Sequence, residues 1–89
     1  MIPETSLTLE SQAILEIAQF FASRPTLEQI GAFHASPELA ERLYALIAEE
    51  KAGTATEEQR RELDSYEAIE HIIIRTKSEA RKRMRQQAP

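Results

Sequence analysis

Residues 56–87 read TEEQRRELDSYEAIEHIIIRTKSEARKRMRQQ, and this stretch decides the fold. No glycine or proline interrupts the chain between Gly53 and Pro89, so nothing in the backbone chemistry stops a helix once it starts. Thr56 is the expected N-cap. Gln59, three residues on, completes a capping box, and Glu57 and Glu58 complement the helix dipole. Leu63, Tyr66, Ile69, Ile73, Thr76, Ala80 and Met84 recur at steps of three and four and form one stripe. Ile72 and Ile74 flank that stripe, so at mid-helix about half the circumference is aliphatic. A helix of this length runs roughly 45 Å, whereas a compact domain of this size is about 30 Å across. Something like ten residues, the basic end, are therefore expected to overhang, fray or pack on another chain.

One neighbouring helix cannot cover so wide a face, but two can. Either the first and third helices supply both neighbours, or part of the face meets a second molecule. On the second alternative Leu63, Tyr66, Ile69, Ile72, Ile73, Ile74 and Met84 are the candidate dimer or partner interface.

Working outward, Gly53 is the expected left-handed residue that ends a preceding helix. That helix starts at Ser36-Pro37, with serine at the N-cap and proline at the first helical position. Its stripe is Leu39, Leu43, Leu46 and Ile47. The short link between the last two helices implies an antiparallel hairpin. Thr26 and Gln29 form another capping box, opening a short helix to about Ala35 with Leu27, Ile30 and Phe33 on one side. The first helix starts near Leu7–Leu9 with Ser6 or Thr8 as N-cap and ends before Pro25. Leu9, Ala13, Ile14, Ile17, Phe20 and Phe21 fall on one side of it, opposite Gln12, Glu16 and Gln19. The spacing thus predicts an all-α bundle of about four helices, near 7–23, 26–35, 37–52 and 56–87. The expected core contains Ile14, Ile17, Phe21, Leu39, Leu43, Leu46, Leu63, Ile69 and Ile73. Residues 1–6 are expected to be a flexible end of a single domain spanning 1–89.

Composition agrees with helix and excludes several function classes. Valine, tryptophan and cysteine are absent and only two glycines occur. Strands would want β-branched and aromatic residues in alternation. Without cysteine there is no disulfide, thiolate metal site or thiol nucleophile, which fits a reducing, cytoplasmic setting. Met1-Ile2-Pro3-Glu4 lacks the basic-then-apolar pattern of a secretory signal, and Ile72–Ile74 is the longest aliphatic run, far short of the ~20 residues of a membrane span.

The net charge of −4 is distributed unevenly. Residues 1–74 carry fourteen acidic and five basic side chains, and residues 75–89 carry six basic and one acidic. Arg75, Lys77, Arg81, Lys82, Arg83 and Arg85 make that basic tail, a collar of charge around the helix end. It reads as a solvated end that complements the dipole, as a contact for an acidic protein surface, or as a contact for nucleic-acid phosphates.

No catalytic constellation is evident. His71 follows Glu67 by four residues, but a bundle metal site wants a glutamate three residues before the histidine, where Ala68 stands. An ordinary charge-assisted pair fits better. His34 is expected at a core margin with its ring hydrogen-bonded. Glycine-rich phosphate loops are absent. The expectation is a non-enzyme with no cofactor, no metal, no small-molecule ligand and no membrane association.

The stretch from Ile30 to Met84 resembles a group of short, mostly uncharacterised bacterial proteins frequent in cyanobacteria. The resemblance rests on Phe33, Ser36-Pro37, the turn at Ala52–Thr54, Thr56-Glu57-Glu58, Glu62-Leu63-Asp64 with Tyr66, Ile69-Glu70-His71 and the basic end. Proteins of this type are similar to the small, acidic, helical antitoxins of two-gene toxin–antitoxin modules. The resemblance implies a protein-binding regulator, antitoxin- or adaptor-like, acting as a homodimer or on a cognate protein such as a toxin or nuclease. The alternatives are a nucleic-acid-binding protein that uses the tail at 75–85 and a structural helical assembly subunit.

Overall fold

The computed structural model describes residues 8–87 and contains four helices: α1 (Leu9–Ala22), α2 (Leu27–Gly31), α3 (Pro37–Ala52) and α4 (Glu57–Gln87). Helix accounts for 82% of the structure, and no strand occurs among the described residues. The expected start of the first helix at residue 7, the alternative cap Ser6 and the expected flexible segment 1–6 lie outside the described residues.

Each helix begins at the hydroxyl the sequence offers. Thr8 Oγ1 accepts from Ser11 N–H at 3.0 Å and Ser36 Oγ from Leu39 N–H at 3.1 Å. Thr26 and Thr56 form full capping boxes, with the Gln29 and Gln59 side chains returning to the cap N–H at 2.9 and 2.8 Å. Gly53 ends α3 in the left-handed region at φ 77°. Arg24, just before Pro25, also adopts positive φ, 58°, where its Cβ is strained.

The second helix is shorter than expected, ending at Gly31 and not near Ala35. Ser36 must be extended to cap α3, and Phe33 must turn inward to stack on Phe20 at a centroid distance of 4.6 Å. Four residues, 32–35, are needed to make both turns.

Helix α4 is the spine. Helices α1, α2 and α3 each pack on it, and α1 also touches α3. Near the N-terminal half of α4, Leu9, Ala13, Leu39, Leu46 and Tyr66 make the buried core, with Leu43, Leu63 and Ile69 against it. The C-terminal half is covered by α2. Gly31 is buried there, packed so closely that an added Cβ would stand 3.3 Å from Arg81 Cγ, and the Arg81 guanidinium donates to the Gly31 carbonyl at 2.8 Å. The projecting end is shorter than the ten or so residues expected. Ala80 is only 3% exposed, and only the last two turns or so project.

The molecule measures 52 × 33 × 18 Å with a radius of gyration of 15.4 Å. A compact chain of this length would have about 12 Å. The thin dimension fits two helix layers, since axes lie 8–10 Å apart and each Cα cylinder adds about 2.3 Å on either side. The three shorter helices thus lie to one side of α4, and its other side meets solvent.

Two expected core residues are corrected. Ile14 is 51% exposed and Phe21 45%. Helix α1 is rolled so that Leu9 and Ala13 point inward and Glu16 comes with them, because Glu16 is needed at the start of α3. Ile14 and Phe21, roughly a quarter-turn round, face outward.

These backbone positions make opposite predictions at two sites. Arg24→Gly should raise stability by about 0.5–1 kcal/mol by removing the left-handed penalty, and Gly53→Ala should lower it by about 1 kcal/mol. Urea midpoints of the two variants check this.

Candidate functional site

Two part-buried carboxylate joints hold the helices in place. Glu62 of α4 is the first. Its Oε1 accepts from Leu9 N–H of α1 at 2.6 Å and from Arg42 of α3 through Nε (3.1 Å) and Nη2 (2.8 Å). The Glu62 side chain is 10% exposed and that of Arg42 37%. Glu16 of α1 is the second. Oε1 accepts from Ser36 N–H at 2.9 Å, and Oε2 accepts from the Ser36 hydroxyl. In α3 the third helical position is Leu39, which has no group to return to the cap N–H. Glu16 performs that task from another helix. Sequence reasoning put Glu16 on the solvent side and gave Glu62 no structural role. Each is one carboxylate among fifteen acidic residues, and its spacing carries no signal of a distant partner.

Tyr66 sits between these joints in the core. Burial foremost, then the carboxylates of Glu70 and Glu16, raises its hydroxyl above the ordinary value of 10.0. It is held protonated and serves as packing.

The residues of the expected interface separate into two groups. Tyr66 is buried in the chain's own core, and Leu63 and Ile69, also expected in the core, pack part-buried against it. Ile73 is half-buried. Ile72 (64% exposed), Ile74 (55%) and Met84 remain outside.

Ile72 and Ile74 open onto different flanks of α4. Ile72 meets Phe21, Ile17, Ile30 and Phe33 in an apolar groove between α1, α2 and α4, which Lys77 also lines. Ile74 stands among Glu67, Glu70 and His71. Along that same flank, Glu50, Asp64, Glu67 and Glu70 border the α3–α4 crevice with a single cation, Lys51. One flank is thus aromatic and aliphatic, and the other is an apolar spot in an acidic field.

The basic tail is not one set. Arg81 is bound to the Gly31 carbonyl and Lys77 is half-buried, while Arg75, Lys82, Arg83 and Arg85 point into solvent. Both histidines are at the surface. His34 lies outside the core margin expected for it, with Nδ1 donating to the Ala35 carbonyl at 3.0 Å. His71 makes no ion pair with Glu67 among the described residues. Among those residues no group of three His, Asp or Glu side chains is arranged to hold a metal ion, and no helix is long and apolar enough to cross a membrane. What the arrangement offers chemically is surface: apolar area, one acidic flank and a basic end.

The chain matches no protein-family model, no curated protein and no solved structure.

Glu62→Ala should cost about 2 kcal/mol, because it leaves the start of α1 and the Arg42 guanidinium without their shared acceptor. Glu67→Ala on the exposed flank should change stability by under about 0.5 kcal/mol. Thermal or urea unfolding of the two variants makes the comparison. For Tyr66 the sign follows from linkage. Below pH 10 the hydroxyl is protonated in both folded and unfolded chains; above it the unfolded chain ionises first and stability falls. In Tyr66→Phe that alkaline decline should be shallower, as urea titrations stepped through pH 10 would report.

Proposed function

We propose that this chain is a non-catalytic regulator, antitoxin- or adaptor-like, that binds one cognate protein of basic surface through the acidic flank of α3 and α4. The observation that carries the reading is Ile74. It is a large aliphatic side chain 55% exposed at mid-helix, with Glu67, Glu70 and His71 around it and Glu50 and Asp64 further along the same flank. An apolar anchor with acidic residues beside it is the pattern of a protein contact, with the centre desolvated and the rim giving orientation and association rate. Polar groups that could do chemistry are either committed to helix caps or scattered singly over the surface. The resemblance to small acidic antitoxins supports the same class, and a partner that handles nucleic acid would present the complementary basic face.

The rival reading, nucleic-acid binding, rests on Arg75, Lys82, Arg83 and Arg85 at the end of α4. Four exposed cations on a net-acidic chain make a modest phosphate contact.

Tagged chain recovered from a nuclease-treated lysate of its source is expected to bring down one basic protein in stoichiometric amount. Glu67→Lys combined with Glu70→Lys should weaken that capture at least about tenfold, since like charges then face one another. A different outcome sinks the proposal: the chain comes down alone, yet shifts duplex DNA at low salt, loses the shift by orders of magnitude between about 50 and 200 mM salt, and loses it when Arg75, Arg83 and Arg85 are changed to alanine.

A further inference from the structure

Helix α1 is apolar on both of its sides. Leu9 and Ala13 face the core, and at 3.6 residues per turn Ala18 stands nearly opposite them, at the centre of the outer side. Ile14, Leu15, Phe21 and Ala22 surround Ala18 within a turn or so. All five are exposed, the three large ones by about half their surface. The remaining exposed residues of the helix, Ser11 and Gln19, are polar but uncharged. Phe21 also borders the groove toward α2 and α4, and the others lie on the side turned away from the core.

None of the exposed residues of α1 is therefore ionisable. Every other helix differs, with Glu28 on α2, Glu38 and Glu41 on α3 and charges along most of exposed α4. A helix apolar all round is one that is covered all round, and in so small a chain the cover must come from another molecule.

The make-up of this side selects a second copy of the chain. Two net-acidic copies repel through α3 and the first half of α4, whereas the outer sides of α1 can meet with no like charges between them. Place two α1 helices antiparallel, with Ala18 on the two-fold axis. Leu15 then faces Ala22 of the second copy on one side of the axis, and Ile14 faces Phe21 of the second copy on the other. By symmetry each contact occurs twice. Leucine falls against a small residue, and Ala18 lets the backbones approach at the centre. The ends agree as well, since the Glu10 end of one helix comes to the Arg24 end of the other and the helix dipoles oppose. A parallel pair would bring both Glu10 ends together and align the dipoles. A lipid surface fits less well, because an interfacial helix carries Lys or Arg along its flanks, where α1 has Glu10 and Gln19.

We infer that the chain forms a two-fold dimer through the outer side of α1, antiparallel, with Ala18 on the axis. Each copy contributes on the order of 500 Å², the low end for a specific contact, so the dimer forms at micromolar concentration. The acidic flank around Ile74 takes no part in it. The self-association therefore holds or fails independently of the cognate protein.

Light scattering of the full chain at about 100 µM should give twice the 10.1 kDa chain mass. Ala18→Glu, which sets two carboxylates against each other on the axis, should give the monomer mass at that concentration. Single cysteines read the arrangement, since the chain has none of its own. Under mild oxidation Ala18→Cys should cross-link two chains, because close helices on the axis bring the two Cα atoms within the roughly 7 Å a disulfide spans. Ser11→Cys is equally open to solvent but should stay uncross-linked, because the antiparallel pair holds its two copies about 21 Å apart along the helix. A parallel pair would cross-link both. These positions are exposed, so each variant keeps its helical circular dichroism, and that spectrum is the control for folding. The inference is overturned by a monomeric mass for the unmodified chain, including one that instead floats with phosphatidylglycerol vesicles. A dimer indifferent to Ala18→Glu, or cross-linking no faster at position 18 than at position 11, overturns it equally.

Discussion

Glu62 Oε1 receives N–H groups from two other helices, and the placement of α1 and α3 on α4 follows from that convergence. A helix N-terminus leaves backbone N–H groups without intrahelical acceptors, and a guanidinium pointing toward a core needs a counter-charge. One carboxylate, nearly enclosed, answers both needs. It sets α1 parallel to α4 with Leu9 at its foot, and it fixes how far along α4 the third helix sits. Glu16 then carries the constraint onward by capping α3 from α1. The core of Leu9, Ala13, Leu39, Leu46 and Tyr66 forms inside this frame.

The frame explains the shape. Both joints draw α1 and α3 to one side of α4, and α2 continues along the same side through the Arg81–Gly31 contact. With only 89 residues there is no fifth helix among the described residues to close the other side. The result is a slab 18 Å thick, with Ile14, Phe21, Ile72 and Ile74 on its surface. In so small a chain the apolar area that does not reach the core is what remains for other molecules. The charge of α4, acidic in its first half and basic at its end, gives that surface a direction as well as an affinity.

Much of this was legible residue by residue. Thr8, Thr26, Ser36 and Thr56 open their helices, Gly53 closes one, and the order and type of all four elements agree with the spacing of apolar residues. The readings that failed share a cause. Ile14 and Phe21 satisfy the helical period as well as Ile17 and Phe20 do, and the choice between them depends on how α1 is rolled about its axis. That roll is set by Glu16 reaching Ser36, twenty residues away in sequence. Helix α2 stops short of its apolar stripe because Phe33 leaves the helix to stack on Phe20. The stripe of Leu63, Tyr66 and Ile69 has the same spacing whether it packs within the chain or on another molecule, and packing against Leu9, Ala13, Leu39 and Leu46 places it at the core.

The sequence by itself therefore determined what lies within one turn of each residue: where helices start, where they stop and which side of each is apolar. Capping boxes such as Thr26–Gln29 and Thr56–Gln59 close over three residues, so their chemistry is complete in the local string. Only the tertiary structure decided which apolar residues are inside and which carboxylates are structural. Glu62 and Glu16 do for α1 and α3 what the glutamines do for α2 and α4, but from other helices. The physical reason is reach: a contact between residues 9 and 62 is a fact about helix placement, and no local spacing encodes it.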